Sequence, residues 1–213
     1  MTGFLRVATP KLDQLFGLVG QSGCAVLLSD ADGVVLDQRC GDADSAVFQS
    51  WGLGLGADWS EAAEGTNGIG TCIAEDRRLI IHRDEHFRAR NTGMSCMDAP
   101  IYGADGGIVA ALDVSSARAD QTEAFNRLIA AMVTQTARHI ESDNFRASFP
   151  DARIIFANSD DTEAAMLLAV DRDRWGFRRR NARQLSGRWR GPAAMSPGRP
   201  ARWELAAPPS TAA

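Results

Sequence analysis

Apolar and polar positions along this chain fall into blocks of different period, and each period predicts an element. Between Pro10 and Val19 the apolar residues Leu12, Leu15, Phe16 and Val19 recur at the spacing of one helical face. Pro10 suits a first turn and Gly20 suits a stop. Two short aliphatic runs, 24–29 and 34–37, flank Asp30-Ala31-Asp32-Gly33 and predict a β-hairpin. A short helix and a glycine-rich loop are expected over 44–56. Thr66 is placed to cap a brief helix running to Ala74. Residues 78–82 read as a strand, and 97–102 with 108–114 form a second hairpin around Gly103-Ala104-Asp105-Gly106-Gly107. From Asp120 to Phe145, the residues Phe125, Leu128, Ile129, Met132, Val133 and Ile140 share one stripe, which predicts a long amphipathic helix.

That order of elements predicts an α+β fold: an antiparallel sheet with helices on one side and a long C-terminal helix. Past Pro150, Ile154-Ile155-Phe156 and residues 164–170 still carry a globular pattern, and from Trp175 the apolar period is lost. Charge changes at the same place. The formal net charge of −4 combines 15 Lys+Arg against 26 Asp+Glu over 1–174 with eight Arg against the single acid Glu204 over 175–213. The last segment also holds three of the five tryptophans and five of the eight prolines. The expected organisation is a domain over 1–148, a remnant of a second domain over 149–174, and an irregular, basic, low-complexity tail over 175–213 that is disordered. A reading-frame change near Arg174 accounts for such a tail. A nucleic-acid-binding tail is the rival, but its arginines form no helical face and alternate with prolines.

Several classes of function are excluded at this stage. No run of about 18 apolar residues is present, so no membrane-spanning helix is expected, and the start lacks a basic segment followed by an apolar core, so no secretory signal is read. Cys24, Cys40, Cys72 and Cys96 are widely spaced without a CxxC pair and read as reduced thiols, most of them small buried residues. These features point to a cytoplasmic protein. Lys11 is the sole lysine, so no Walker-type phosphate loop exists. Gly65, Gly68 and Gly70 follow a loop in the order GxxGxG, which reads as close packing of a helix on a sheet. His82-Arg83-Asp84-Glu85-His86 fits H-x-x-E-H, yet its first histidine ends a strand run, so the two do not share a helical face and no metal is expected.

Three motifs occur in order: Trp59-Ser60-Glu61 with Gly65-Thr66-Asn67-Gly68-Ile69-Gly70-Thr71, then Glu85-His86-Phe87, then Ser95-Cys96-Met97-Asp98-Ala99-Pro100-Ile101. Over roughly residues 3–148 the chain resembles the GAF sensory domain of acetoin-catabolism-type, sigma-54-dependent transcription activators. Asp98 departs from the small residue usual in that pattern. The resemblance implies a sensor for a small-molecule metabolite, a short keto or hydroxy compound, bound between the sheet and a capping loop. Trp59, Thr66, Asn67 and Cys96 are then the ligand-binding candidates. It further implies a homodimer or heterodimer through the 120–145 helix, no cofactor, no direct DNA binding and no catalysis. Residues 169–173 resemble the start of the PAS-like domain of such regulators, and the chain reads as truncated ahead of the ATPase and DNA-binding domains. The alternatives are a GAF-fold thiol enzyme of the methionine sulfoxide reductase type and a ligand-free dimerisation module.

Overall fold

The computed structural model describes residues 2–157 and 166–170. Helix α1 (Thr2–Val19) begins well ahead of Pro10, which lies inside it. An interior proline removes one helical hydrogen bond and crowds the carbonyl four residues back. The helix continues through it because Ala8, Leu12, Leu15 and Val19 form one buried stripe, with Phe4 and Leu5 packed on the same core. Tertiary burial here outweighs a local breaker.

Strands β1 (Cys24–Asp30) and β2 (Val35–Arg39) form the first hairpin. Asp30 Oδ1 accepts the N–H groups of Asp32 and Val34 at 3.0 and 2.9 Å, an Asx turn that closes the loop. Helices α2 (Asp42–Ser50), α3 (Glu61–Glu64) and α4 (Gly68–Ala74) follow, then strands β3 (Leu79–His82), β4 (Ser95–Tyr102) and β5 (Ile108–Ser116). Helix α5 (Glu123–Ser148) is capped by Thr122, whose Oγ1 accepts from the Phe125 N–H at 3.3 Å. The sheet order is β2-β1-β5-β4-β3, antiparallel throughout, which is the α+β architecture the sequence predicts.

Side chains alternate across the strands, so the sheet has two distinct faces. One carries Cys24, Val26, Leu28, Met97, Ala99, Ile101, Ala110, Leu112 and Val114 and packs against α1 and α5. The other carries Ala25, Leu27, Cys96 and Ala111 and meets Phe48 of α2, Ile69 and Cys72 of α4, and the loop residues Leu53 and Trp59. The terminal helices therefore share one face, and the short central elements roof the other.

The buried side of α5 runs through Asn126, Ile129, Val133, Ala137, Ile140, Glu141 and Phe145. Leu128, part of the predicted stripe, is instead 59% exposed. Two polar residues, Asn126 and Glu141, take inward positions that hydrophobicity alone does not assign to them. Within the 149–174 segment, β6 (Arg153–Ala157) and β7 (Met166–Val170) form a two-stranded antiparallel sheet. Residues 158–165 and 171–174, and the tail expected over 175–213, lie outside the described residues.

Candidate functional site

The segment from Trp59 to Ala74 is held together by its own polar side chains. Ser60 Oγ caps α3 by accepting from the Ala63 N–H at 3.3 Å. The cap of α4 is Asn67, whose Oδ1 accepts from the Gly70 N–H at 2.9 Å while its Nδ2 donates to the Gly65 carbonyl at 2.8 Å. Asn67 N–H also donates to Thr71 Oγ1, and that hydroxyl donates to Glu61 Oε1 at 2.8 Å. Thr66, expected to be the cap, stands one residue too early. It is half-buried, and its carbonyl accepts from the Phe87 N–H at 3.0 Å.

Two glycines let this segment sit directly on its neighbours. A Cβ at Gly70 would stand 2.4 Å from Glu61 N and 2.6 Å from Trp59 O, both main-chain atoms. A Cβ at Gly68 would stand 2.3 Å from Asp98 Oδ2 and 2.5 Å from Cys96 Cβ. Trp59 is 3% exposed and lies in the apolar layer with Phe48, Leu53 and Ile69; its Nε1 donates to the Gly52 carbonyl at 3.1 Å. It anchors the core, and the segment is seated against the sheet.

Beneath α4 the sheet face turns polar. Cys96 and Asp98 of β4 lie in register with Ser115 and Asp113 of β5. Ser115 Oγ donates to Asp113 Oδ2 at 2.7 Å, and Cys96 Sγ lies 3.1 Å from Ser115 Oγ and 3.4 Å from His86 Nε2. His86 Nδ1 is 2.9 Å from the Arg83 carbonyl. A carbonyl only accepts, so Nδ1 carries the proton, Nε2 is the acceptor, and the Cys96 thiol donates to it. Burial holds the His86 pKa below the usual imidazole value, and burial together with Asp113 and Asp98 holds the Cys96 thiol well above the usual range. Cys72 is likewise raised by burial.

Asp98 and Asp113 are 2% and 1% exposed and stand directly opposite each other. Burial raises both carboxyls above the ordinary carboxylate range, Asp98 well above it and Asp113 to about 7. The charge of Asp113 raises Asp98 further, whereas the Ser115 hydroxyl restrains Asp113. Among the described residues no N–H or O–H donor reaches Asp98 Oδ1, Asp98 Oδ2 or Asp113 Oδ1. The donor left for these oxygens is a proton shared between the two carboxyls, with Asp98 as the neutral partner.

The H-x-x-E-H residues divide between the two faces. His86 reaches Cys96, whereas His82 Nδ1 lies 2.7 Å from Ser95 Oγ and 3.1 Å from Asn126 Nδ2 on α5. Glu85 accepts from the His82 N–H and so closes the intervening turn. Of the four candidates, Trp59, Asn67 and Cys96 are brought to one layer around α4, and Thr66 lies at its margin. Asp113 and Ser115 were not among the sequence candidates. Their signal is the alternation of polar residues along β5, which takes on meaning once it is in register with Cys96 and Asp98.

A five-stranded antiparallel sheet flanked by terminal helices, with a short glycine-bearing helix over its other face, defines a class of small α+β domains. The model of the GAF domain matches residues 5–142, and the chain belongs to that family. The acetoin catabolism regulatory protein of Cupriavidus necator is 39% identical over 142 residues, which cover 67% of this chain and 21% of that protein. The acetoin dehydrogenase operon transcriptional activator AcoR of Bacillus subtilis is 32% identical over 114 residues, covering 53% and 18%. The chain thus spans about a fifth of the length of these relatives. In the crystal structure of the E. coli DhaR(N)-DhaL complex, a chain of the same fold aligns with a TM-score of 0.61 at 14% identity, covering 79% of this chain and 61% of that one. The relatives are transcriptional regulators, and this chain is homologous to them over its GAF domain.

Proposed function

We propose that residues 1–148 are the sensing domain of a sigma-54-type transcription regulator, that they bind a small metabolite between the sheet and the Trp59–Gly70 segment, and that they act in the cytoplasm without catalysing a reaction. One observation carries the reading: within a GAF domain, the face under α4 sets Cys96, Asp98, Asp113 and Ser115 at buried positions, whereas the alternate residues Met97, Ala99, Leu112 and Val114 on the other face are apolar. A buried polar row of this kind serves recognition more readily than stability. Among the described residues no helix is long and apolar enough to cross a membrane.

Binding acts as a population shift. A ligand biases two arrangements only through its different affinity for them, typically by about 1–3 kcal/mol. Because Gly68 rests on Asp98, the receptive arrangement is one with α4 lifted. The segment 82–86 touches both faces. His86 meets Cys96, Arg83 donates to the carbonyls of Arg118 and Ala119 just ahead of α5, and His82 meets Asn126 on α5. A change under α4 therefore has contacts through which to bias α5, the helix proposed to mediate homodimer or heterodimer formation. No direct contact with DNA is assigned to this domain.

The close seating of α4 favours a second reading, a ligand-free dimerisation module. A thermal-shift screen of neutral and charged metabolites on the full chain separates the two. A sensor gains stability with at least one compound, since binding to the native state must stabilise it. A chain whose melting midpoint no compound moves, yet which dimerises, is the module.

A further inference from the structure

Asp98 is the residue that packing explains least. It is 2% exposed, and neither of its oxygens meets an N–H or O–H donor among the described residues; Asp113 Oδ1 is in the same condition. One shared proton satisfies one oxygen on each carboxyl and leaves an Asp98 oxygen without a donor. The neighbouring donors are already committed. The Ser115 hydroxyl serves Asp113, the Cys96 thiol serves His86, and the Gly68 N–H meets the Cys96 sulfur. Besides the two carboxyls, the charged side chains that act on Cys72 are Asp76 and Arg77 beyond the end of α4, and Arg77 is exposed and paired with Glu75 at 3.6 Å. The layer is rich in acceptors and short of donors, and among the described residues no cation pairs with Asp98 or Asp113.

We propose that the molecule received on this face is a hydrogen-bond donor without negative charge, an alcohol or an amine, that it binds through Asp98, and that carboxylates are turned away. The inference rests on the receptor reading above and gives it a chemical class. A hydroxyl or ammonium group supplies what the Asp98 oxygen lacks, and a buried acceptor left unpaired is costly enough to make that supply decisive. An anion in the same place would stand beside a carboxyl pair in dry surroundings, where like charges repel far more strongly than in water. Gly68 lies against Asp98, so the donor reaches the carboxyl by replacing the first turn of α4. Recognition and the lifting of α4 are then one event.

The test uses the full 213-residue chain and molecules that share one skeleton: propylene glycol, isopropanolamine and lactate, with their longer homologues. These differ at one end only, as hydroxyl, ammonium or carboxylate. The expected result is a rise in unfolding midpoint with a glycol or an amino alcohol and none with the matching hydroxy acid. The two donor arms show whether hydroxyl or ammonium is preferred. Asp98→Ala, checked for a cooperative melt, weakens the effective compound by roughly tenfold or more. Should Asp98→Ala not fold, Asp98→Asn replaces it and gives the same loss for ammonium ligands. A hydroxy acid that stabilises the chain as well as its glycol overturns the inference and leaves the receptor reading standing. So does a glycol effect that survives loss of the Asp98 carboxyl. If no compound moves the midpoint, the receptor reading fails and takes this inference with it.

Discussion

The two faces of the sheet are built by the same strands yet obey different rules. Toward α1 and α5, strands β1, β4 and β5 present Val26, Leu28, Met97, Ile101, Leu112 and Val114, all buried and apolar. Toward α4 the alternate positions include Ala25, Leu27, Cys96, Asp98, Asp113 and Ser115. Water is excluded equally from both. Where a face is mostly apolar, burial explains most of the residues on it, and the buried polar Ser95 and Asn126 found there are both partnered by His82. Where two carboxyls are buried opposite each other, stability cannot be the reason, because each costs free energy unless it is paired. Positions that break a local rule without a stabilising return are where function is expected.

The comparison can be broken most forcefully on the apolar face. Leu112→Ala removes a fully buried side chain from that layer and is expected to lower stability by about 2–5 kcal/mol in urea unfolding. A loss under about 1 kcal/mol would mean that this face does not carry the fold. On the other side, Gly70→Ala drives a methyl group into main-chain atoms of Trp59 and Glu61. The expected cost is about 1–3 kcal/mol, and a neutral outcome would show that α4 is not seated as described.

The acid pair gives the faces different responses to pH. Both carboxyls hold protons more tightly in the folded chain than the ordinary value near ~4 allows, with Asp113 at about 7. A raised folded pKa contributes most at low pH. The pair's contribution to stability is therefore full below about pH 4 and is lost as pH rises through the raised folded values, that of Asp113 at about 7. The slope is up to ~1.4 kcal/mol per pH unit for each proton held. Asp98→Asn should flatten it and make the variant relatively more stable at pH 8 than at pH 5, measured by denaturant unfolding at both. Parallel curves for variant and parent would remove the pair from the account. The smallest effect is expected at exposed Leu128. Leu128→Glu should change monomer stability by no more than about 0.5 kcal/mol while weakening self-association in sedimentation. An unchanged association constant would move the proposed dimer contact off this part of α5.

Much of this architecture was legible in the sequence. Both hairpins announced themselves through Asp/Gly turns between aliphatic runs, and α5 through its period. The exceptions share one cause. Helix α1 passes through Pro10 because its stripe meets a core built mostly from residues beyond it. The cap of α4 falls on Asn67 and not on Thr66 because Asn67 also ties back to Gly65. His82 and His86, four residues apart, separate to opposite faces because the strand ends between them. The candidates Trp59, Asn67 and Cys96 were found through motifs, whereas Asp113 and Ser115 required the pairing of β4 with β5.

By itself, then, the sequence determined the order of the elements, their turns and their family, because those depend on side chains only a few positions apart along the chain. Tertiary structure alone decided that Asp98 faces Asp113, that the Cys96 thiol donates to a neutral His86, and that Gly68 closes over them. Each of these follows from the register between strands and from exclusion of water, and both exist only once residues distant in the chain are packed together.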